Sequence, residues 1–483
     1  MGLNQTDKRV ILHSIVGIMC MIGIGFLPAP YPITDLGMRI VGILTGMVYL
    51  WITVDTLWPS ILGLVAMMHS GYAPPAQILG ASFGNTYTVM TMFMLAFCGV
   101  IEQNRINEYI ACWFLERKIM NGRPWVFTFI WLLTAAILAM LCHATMAVFF
   151  LWSVLYYLSE TLGMRKGDAY LSSMLVGTVF SAMIAQVIFP FKDMGIFMVG
   201  SFESISGVSM PAAPYMLVQS VTCLCCILLY MLMMRFVFRV DITPLKNIQT
   251  DSLKKENLPP MSPLQKFLLM LLFALIAALC LPIFFTTDFP LIAFLKQLEM
   301  TGIVMLFFVI LCLVRVDGKS LVDFQDLAQK KISWNLICLI AVALCTSTAL
   351  TADSTGIKEF LSITCSPLFE GKTAFAFTAM LTAATLLLTN VANNGVVGIL
   401  FLTISSIFST QVEGANLLLL ATLVTFCVTD AMVLPSASIY GAIVHGNSQW
   451  LTKKEIIRYT AAAVAASYIV ILLVAYPLGS LVF

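Results

Sequence analysis

Four short stretches of this sequence set polar or ionisable side chains among apolar neighbours. LAMLCHATMAVFF carries His143 and Thr145, and LLLTNVANNGVVGILF carries Asn390, Asn393, Asn394 and Gly395. IFPFKDMG carries Pro190, Lys192 and Asp193, while VTDAMVLPSASIYG carries Asp430, Pro435, Ser436, Ser438 and Gly441. An imidazole, an ammonium group and the backbone N–H groups freed at a helix break all suit a bound anion. Amide and hydroxyl oxygens suit a small cation, and a buried carboxyl suits a proton. Catalytic signatures are missing: the chain has no HExxH, Walker A or GxGxxG motif. Cys223, Cys225 and Cys226 lie in an uncharged run with no second cluster or nearby His, so we read them as small hydrophobes of a membrane helix. Two competing occupations stay open at this point. A membrane-embedded enzyme would use His143 or Asp430 as general acid or base, and a passive channel would show conductance without saturation.

The elements that must hold these residues follow from composition. Of 483 residues, 60% are apolar and 10% charged, against about a quarter charged in soluble domains. Uncharged runs recur, among them Val10 to Thr34, Thr56 to Ile101, Pro124 to Ser159, Ser204 to Met234, Thr373 to Val412 and Tyr459 to Phe483. Each exceeds the about 20 helical residues that cross a bilayer core. Lipid offers backbone groups no partner, and the runs lack barrel alternation, so the fold expected is an all-α polytopic membrane protein. The first run is longer than a signal-peptide core and is read as a retained span.

With the N-terminus inside, alternating spans place every Lys and Arg in the cytoplasm except Arg39, Lys192, Lys296, Lys358 and Lys372. This positive-inside bias puts the C-terminus outside and fits a cell membrane protein. The net charge of +2 is scattered over loops without aromatic interleaving, so no nucleic-acid partner is implied. The segment 239–266 is polar and Pro-rich, and reads as a cytoplasmic linker between two halves, 1–238 and 267–483.

The halves resemble each other. At an offset of 251, Glu102 to Tyr109 aligns with Asp353 to Phe360, and Cys142-His143-Ala144 with Asn393-Asn394-Gly395. By the charge pattern the first pair faces the cytoplasm and the second faces outside, so the repeat is inverted, as in many secondary transporters. The run from Pro124 to Ser159 would make about 54 Å of straight helix, yet basic residues flank both ends on one side. Either a re-entrant hairpin (about 124–160, facing the cytoplasm) or two spans joined by a polar turn explains this. The run 373–412 repeats the design facing outside, with turn-forming Asn and Gly at its middle. We expect two re-entrant hairpins. Proline at 190 and 435 is expected to break two further helices. Lys192 with Asp193 could also form a local pair, and Asp430 an internal cap. The segments Asn107 to Met120 and Lys358 to Phe369 mix charges with apolar residues, and each is expected to lie in the interface plane before a hairpin.

At these residues the sequence resembles the divalent anion:sodium symporters, the DASS family of the ion transporter superfamily. TNVANNGVVGILFLTI is similar to that family's second hairpin, with Asn393-Asn394-Gly395 at the place of Ser-Asn-Thr. LPSASIYGAIVHG is similar to its later Pro-Pro-Asn segment, replaced here by Ile439-Tyr440-Gly441. NRINEYIACWFL resembles the helix before the first hairpin. The first signature departs further, with Cys142-His143-Ala144 for Ser-Asn-Thr and Phe189-Pro190-Phe191-Lys192-Asp193 for Gly-Thr-Pro-Pro-Asn. The resemblance implies a homodimer in the bilayer, elevator motion of a part holding both hairpins, and di- or tricarboxylate or inorganic divalent anions as substrates.

The substrate site expected comprises Cys142, His143, Ala144, Thr145, Lys192, Asn393, Asn394, Gly395, Ser436, Ala437 and Ser438. Coupling falls to His143, Lys192, Asp193, Asn390, Asn394 and Asp430. No catalytic residue, resident metal or cofactor is implied, with Na+ entering only as a coupling ion. Cys142 and Ala144 offer no side-chain oxygen for sodium, whereas Lys192 and His143 could supply fixed positive charge. A carrier with uncompensated positive charge returns slowly when empty. The sequence therefore favours anion exchange over sodium or proton symport.

Overall fold

The computed structural model describes residues 5–243, 259–285, 289–316, 318–435 and 437–483. Most of the linker expected at 239–266, and Ser436, lie outside them. The chain begins with α1 (Gln5–Gly23), α2 (Asp35–Thr53), α3 (Leu57–His69), α4 (Pro75–Ala81), α5 (Thr86–Gln103) and α6 (Ile106–Leu115). It continues with α7 (Pro124–Leu141), α8 (Ala144–Thr161), α9 (Ala169–Ala185), α10 (Asp193–Ser206) and α11 (Ala212–Phe236). Next come α12 (Pro263–Phe284), α13 (Pro290–Leu313), α14 (Phe324–Lys330), α15 (Trp334–Thr351) and α16 (Ile357–Phe369). The last are α17 (Ala374–Thr389), α18 (Asn394–Phe408), α19 (Leu417–Thr429), α20 (Ile439–Gly446), α21 (Lys453–Val470) and α22 (Tyr476–Val482). Arg315–Val316 pairs with Lys319–Ser320 as a two-residue antiparallel ribbon, the one sheet among the described residues.

Among the described residues eight helices are long and apolar enough to cross a membrane, or up to ten if each of two bent pairs is one span. This is a multi-pass membrane protein. Helix starts are written locally. Ser262 and Thr452 form capping boxes with Gln265 and Glu455, Asp168 accepts from the N–H groups of Tyr170 and Leu171, and proline opens α7, α12 and α13. Hydroxyls inside the spans turn back onto their own helix, as Thr382 Oγ1 does to the Thr378 carbonyl at 2.7 Å, which satisfies them without water.

The helices form two compact units, each drawn from three stretches of chain. The first comprises 1–92, 196–210 and 333–425, and the second 93–195, 211–332 and 426–483. The division does not follow the two sequence halves; one hairpin falls in each unit.

In the first unit α1 crosses α2 closely, because Gly46 presents no side chain to Met21 and the Gly17 carbonyl. Thr34 donates from both N–H and hydroxyl to the carbonyls of Thr355 and Ser354, at 3.0 and 2.8 Å, which pins the start of α2 beside the start of α16. The second unit is built around α9, buried at every residue from Tyr170 to Ala185. A helix apolar all round has no lipid face to keep, so it serves as a central post. Trp131 Nε1 of α7 donates to Thr178 Oγ1 at 3.0 Å, and the Tyr230 hydroxyl of α11 to the Ser173 carbonyl at 2.9 Å. Gly177 gives the Tyr230 ring its place.

Candidate functional site

Each interrupted stretch of the sequence is a break in helix. The first hairpin turns at Cys142 and His143, between α7 and α8, each of 18 residues or roughly 27 Å. The second turns at 390–393, between α17 and α18, whose 16 and 15 residues span roughly 24 and 23 Å. These last two fall short of a hydrocarbon core of about 30 Å. Helix α16 meets α17 at a bend of 112°.

The first tip lies in the second unit. Cys142 is buried, Ala144 begins α8, and His143 is its half-buried N-cap, extended at φ −95° and ψ 127°. Lys192, only 5% exposed, reaches this tip from the break between α9 and α10. Its Nζ donates to the Ala139 carbonyl at 2.8 Å, to the Cys142 carbonyl, and to Asp193 Oδ2 at 3.0 Å. An ammonium has three N–H groups and all three are used. The cation thus caps the carbonyl end of α7, where the helix dipole is negative, while the adjacent carboxylate balances its charge. The void beside Lys192 holds about 10 Å³, the space of a single water. Lys192 therefore acts here as a tie within the protein.

The break that carries Lys192 is tightly wound. Asp193 adopts a positive φ of 46°, which a non-glycine residue holds only under tertiary constraint. Phe189 stacks on Phe191 at 4.8 Å. Gly195, the third residue of α10, sits so that a Cβ would lie 2.2 Å from the Phe189 carbonyl oxygen. The second break repeats this arrangement. Gly441, the third residue of α20, would place a Cβ 2.3 Å from the Leu434 carbonyl oxygen. Both carbonyls belong to the residue before the proline, at Pro190 and Pro435. In each case only glycine lets the second half-helix start against the end of the break.

Around the second break, Ser438 caps α20: its hydroxyl donates to the Ala431 carbonyl and accepts from the N–H groups of Tyr440 and Gly441, at 3.1 and 3.2 Å. Ala437 is buried. His445 Nε2 bonds the Val433 carbonyl at 2.9 Å. Asp430 is fully buried just past the end of α19, near Ser467, Cys226 and Cys427. Sequence reasoning passed over Gln186 and gave Tyr440 no role beyond its place in the Ile439-Tyr440-Gly441 motif. The Tyr440 hydroxyl lies at Thr145 of α8 and donates to Gln186 Oε1 at 3.3 Å, linking the first hairpin to both breaks.

The second tip belongs to the first unit. Asn393 caps α18, its Oδ1 accepting from the N–H groups of Gly395 and Val396 at 3.0 and 3.4 Å, and Asn394 Oδ1 also accepts from Gly395 at 3.0 Å. Asn390 is buried and donates to the Leu386 carbonyl at 2.9 Å. Gly395 packs on the Phe197 ring, 3.0 Å from where its Cβ would stand. Structure brings together Cys142, His143, Thr145, Lys192, Asp193 and Ser438 in one unit, and Asn390, Asn393, Asn394 and Gly395 in the other.

The hairpins start at matching positions, though the register differs by one residue from the sequence alignment. N-caps His143 and Asn393 correspond, as do helix starts Pro124 and Ala374, at an offset of 250. The preceding helices α6 and α16 keep 251, each with a left-handed N-cap, Arg105 at φ 60° and Gly356 at φ 66°. The extra residue falls between arm and hairpin.

Two comparisons with known proteins complete the picture. No curated protein matches the chain. The model of a family of transporters, not of enzymes, described as citrate transporter, matches residues 46–428, which take in both hairpins and the first break. The chain belongs to the CitMHS family of citrate transporters.

Proposed function

We propose that this protein is a secondary active transporter that carries citrate or a related di- or tricarboxylate across the cell membrane, with the polar hairpin tips as its candidate anion ligands. The observation that carries the reading is one series of elements occurring twice: an arm helix with a left-handed N-cap, a hairpin with a polar tip, and a broken helix whose glycine meets the carbonyl before the proline. Such a repeat, with polar interruptions at membrane depth, is what alternating access needs. Support for an inverted arrangement, with the N-terminus in the cytoplasm and the C-terminus outside, comes from the distribution of Lys and Arg. The 112° bend from α16 into α17 suits an arm in the interface plane, and with it elevator motion of a homodimer like that of the resembling symporters. In this reading the candidate anion ligands are His143 and Thr145 of the first tip, Asn393, Asn394 and Gly395 of the second, and Ser438 of the second break.

Coupling is where the geometry alters the expectation. The sequence favours exchange on fixed positive charge at Lys192 and His143, but the Lys192 ammonium is balanced by Asp193 and all three of its N–H groups are used. A carboxylate substrate then needs a travelling countercharge, which favours symport with a cation or proton and leaves exchange as the second reading. Labelled citrate uptake into proteoliposomes, empty or preloaded, under an imposed sodium or proton gradient, tests both. Gradient-driven uptake into empty vesicles supports symport; uptake into loaded vesicles alone supports exchange. Absence of citrate uptake and counterflow in every arm sinks the transport assignment.

A further inference from the structure

The N-terminal helices enclose a groove that the transport reading does not use. Helices α1, α2 and α3 border a cavity of about 490 Å³, in the range of small-molecule sites. Its walls are apolar, set by Ile18 and Ile22 of α1, Ile43 of α2, and Leu62 and Val65 of α3. Polar groups gather at one end. Arg39 stands in the first turns of α2, His69 is the last residue of α3 and Ser70 follows it. Helix ends meet the headgroup region, whereas Leu62, seven residues before His69, lies roughly 10 Å deeper along α3. Arg39 Nη1 donates to the Ser70 carbonyl at 3.1 Å. That bond uses one of the five guanidinium N–H groups and fixes the planar fork at the mouth of the groove. The groove has no Asp or Glu in its lining, and Ile22 and Val65 are 59% and 55% exposed, so it opens sideways on the surface that faces lipid.

We infer that this groove is a binding site for a phospholipid with an anionic headgroup, the phosphate and its charge seated on Arg39 and His69 and an acyl chain lying along Ile43, Leu62 and Val65. A carboxylate substrate would leave most of these carbon walls unmatched, and a free inorganic anion would leave the groove unfilled. A lipid satisfies both ends at once. The inference stands apart from what the protein transports.

The full chain, purified in a zwitterionic detergent, is titrated with phosphatidylglycerol or with phosphatidylcholine of identical chains. Bound lipid is counted by native mass spectrometry, and the thermal midpoint is followed in parallel. Phosphatidylglycerol is expected to stay bound and raise the midpoint, with phosphatidylcholine weaker. Arg39→Gln should weaken phosphatidylglycerol binding about tenfold, the value of one charge-assisted hydrogen bond. Arg39→Lys should restore part of it, while Val65→Trp, which fills the groove and leaves the charge, should weaken both lipids. Glycerol phosphate alone should give no shift. Equal binding of both lipids to wild type, or wild-type binding by both Arg39→Gln and Val65→Trp, would overturn the site. A shift with glycerol phosphate would mark a free-anion site instead, and loss of dimer in Val65→Trp without loss of lipid would mark a contact between copies.

Discussion

The Lys192 ammonium donates to the carbonyl of Cys142, joining the broken helix to the tip of a hairpin fifty residues earlier in the chain. With the bonds to Ala139 and Asp193 it forms a compact node in which a cation, a carboxylate and the end of a helix neutralise one another. Such a node gives the tip a defined position, a requirement for binding a small anion with directional hydrogen bonds.

Replacing Lys192 by Met removes the cation but leaves the Asp193 carboxylate, 12% exposed, and two carbonyls with no donor. Breaking a buried pair from one side costs roughly 3–5 kcal/mol. Thermal unfolding in nanodiscs should show K192M strongly destabilised and the double variant K192M/D193N closer to wild type. A double variant no better than K192M would mean that the pair does not act as one unit.

The two glycines permit a paired comparison. Gly195→Ala and Gly441→Ala each press a methyl group against a backbone carbonyl at 2.2 and 2.3 Å, so the break itself must move. Each should lower stability by about 1–3 kcal/mol and reduce uptake at least severalfold. Gly446→Ala, with nothing within 4 Å of the added carbon, is the control and should transport normally. Wild-type uptake by both break variants would show that the close approach has no functional consequence.

How far the site was legible in the sequence differs by residue. Prolines, asparagines, a Lys–Asp pair and, at the first tip, His143 with Thr145 marked the two hairpin turns and the two broken helices, because a bilayer tolerates such residues only where backbone structure changes. The role of Lys192 was not legible, since two of its partners are carbonyls of a distant helix and carbonyls carry no sequence signal. Tyr440 and Gln186 look ordinary in their segments, and only packing brings the Tyr440 hydroxyl to both Gln186 and Thr145. The one-residue change of register between arm and hairpin was hidden for a similar reason: apolar runs align equally well at 250 and 251, and helix caps decide between them.

That Tyr440 link leads to a test of the hairpin's position. Tyr440→Phe removes one hydroxyl and keeps the ring, leaving Gln186 and Thr145 without their common partner. The expected result is a severalfold rise in KM for citrate with a smaller change in maximal rate. Thr145→Val should behave alike, and the double variant should be little worse than either, because groups in one network are not additive. Additive losses would place the two residues in separate roles.

At the second tip, Asn393 and Asn394 can be separated. Asn393 accepts the first N–H groups of α18, so Asn393→Ala should cost about 1 kcal/mol of stability as a lost N-cap with partial loss of uptake. Among the described residues, half-buried Asn394 engages only the adjacent N–H of Gly395 through its oxygen, which leaves its amide N–H groups available to a substrate. Asn394→Leu should abolish uptake in a protein that still inserts and unfolds near the wild-type temperature. Full transport by that variant would remove Asn394 from the site.

The last prediction concerns Asp430, fully buried beyond the end of α19. Its neighbours Ser467, Cys226 and Cys427 carry no positive charge, and an ionisable group at membrane depth is functional by default. It also stands where the chain leaves α19 for the second break, so a change in its charge acts directly on the segment that Ser438 and Gly441 hold in place. We expect Asp430→Asn, which preserves shape, exchanges one carboxyl oxygen for an NH2 donor and can neither gain nor lose a proton, to retain citrate counterflow in preloaded proteoliposomes while losing accumulation driven by an ion gradient. Counterflow needs only the loaded carrier to cross in both directions, whereas accumulation requires the coupling ion to be bound and released. The control is thermal unfolding of D430N, which should stay within about 1 kcal/mol of wild type, since the amide is isosteric. Accumulation equal to wild type across a proton gradient and a sodium gradient would exclude Asp430 from coupling and leave it as a structural group at the helix end. Loss of counterflow and accumulation together, in a protein of unchanged stability, would move Asp430 from coupling to substrate binding.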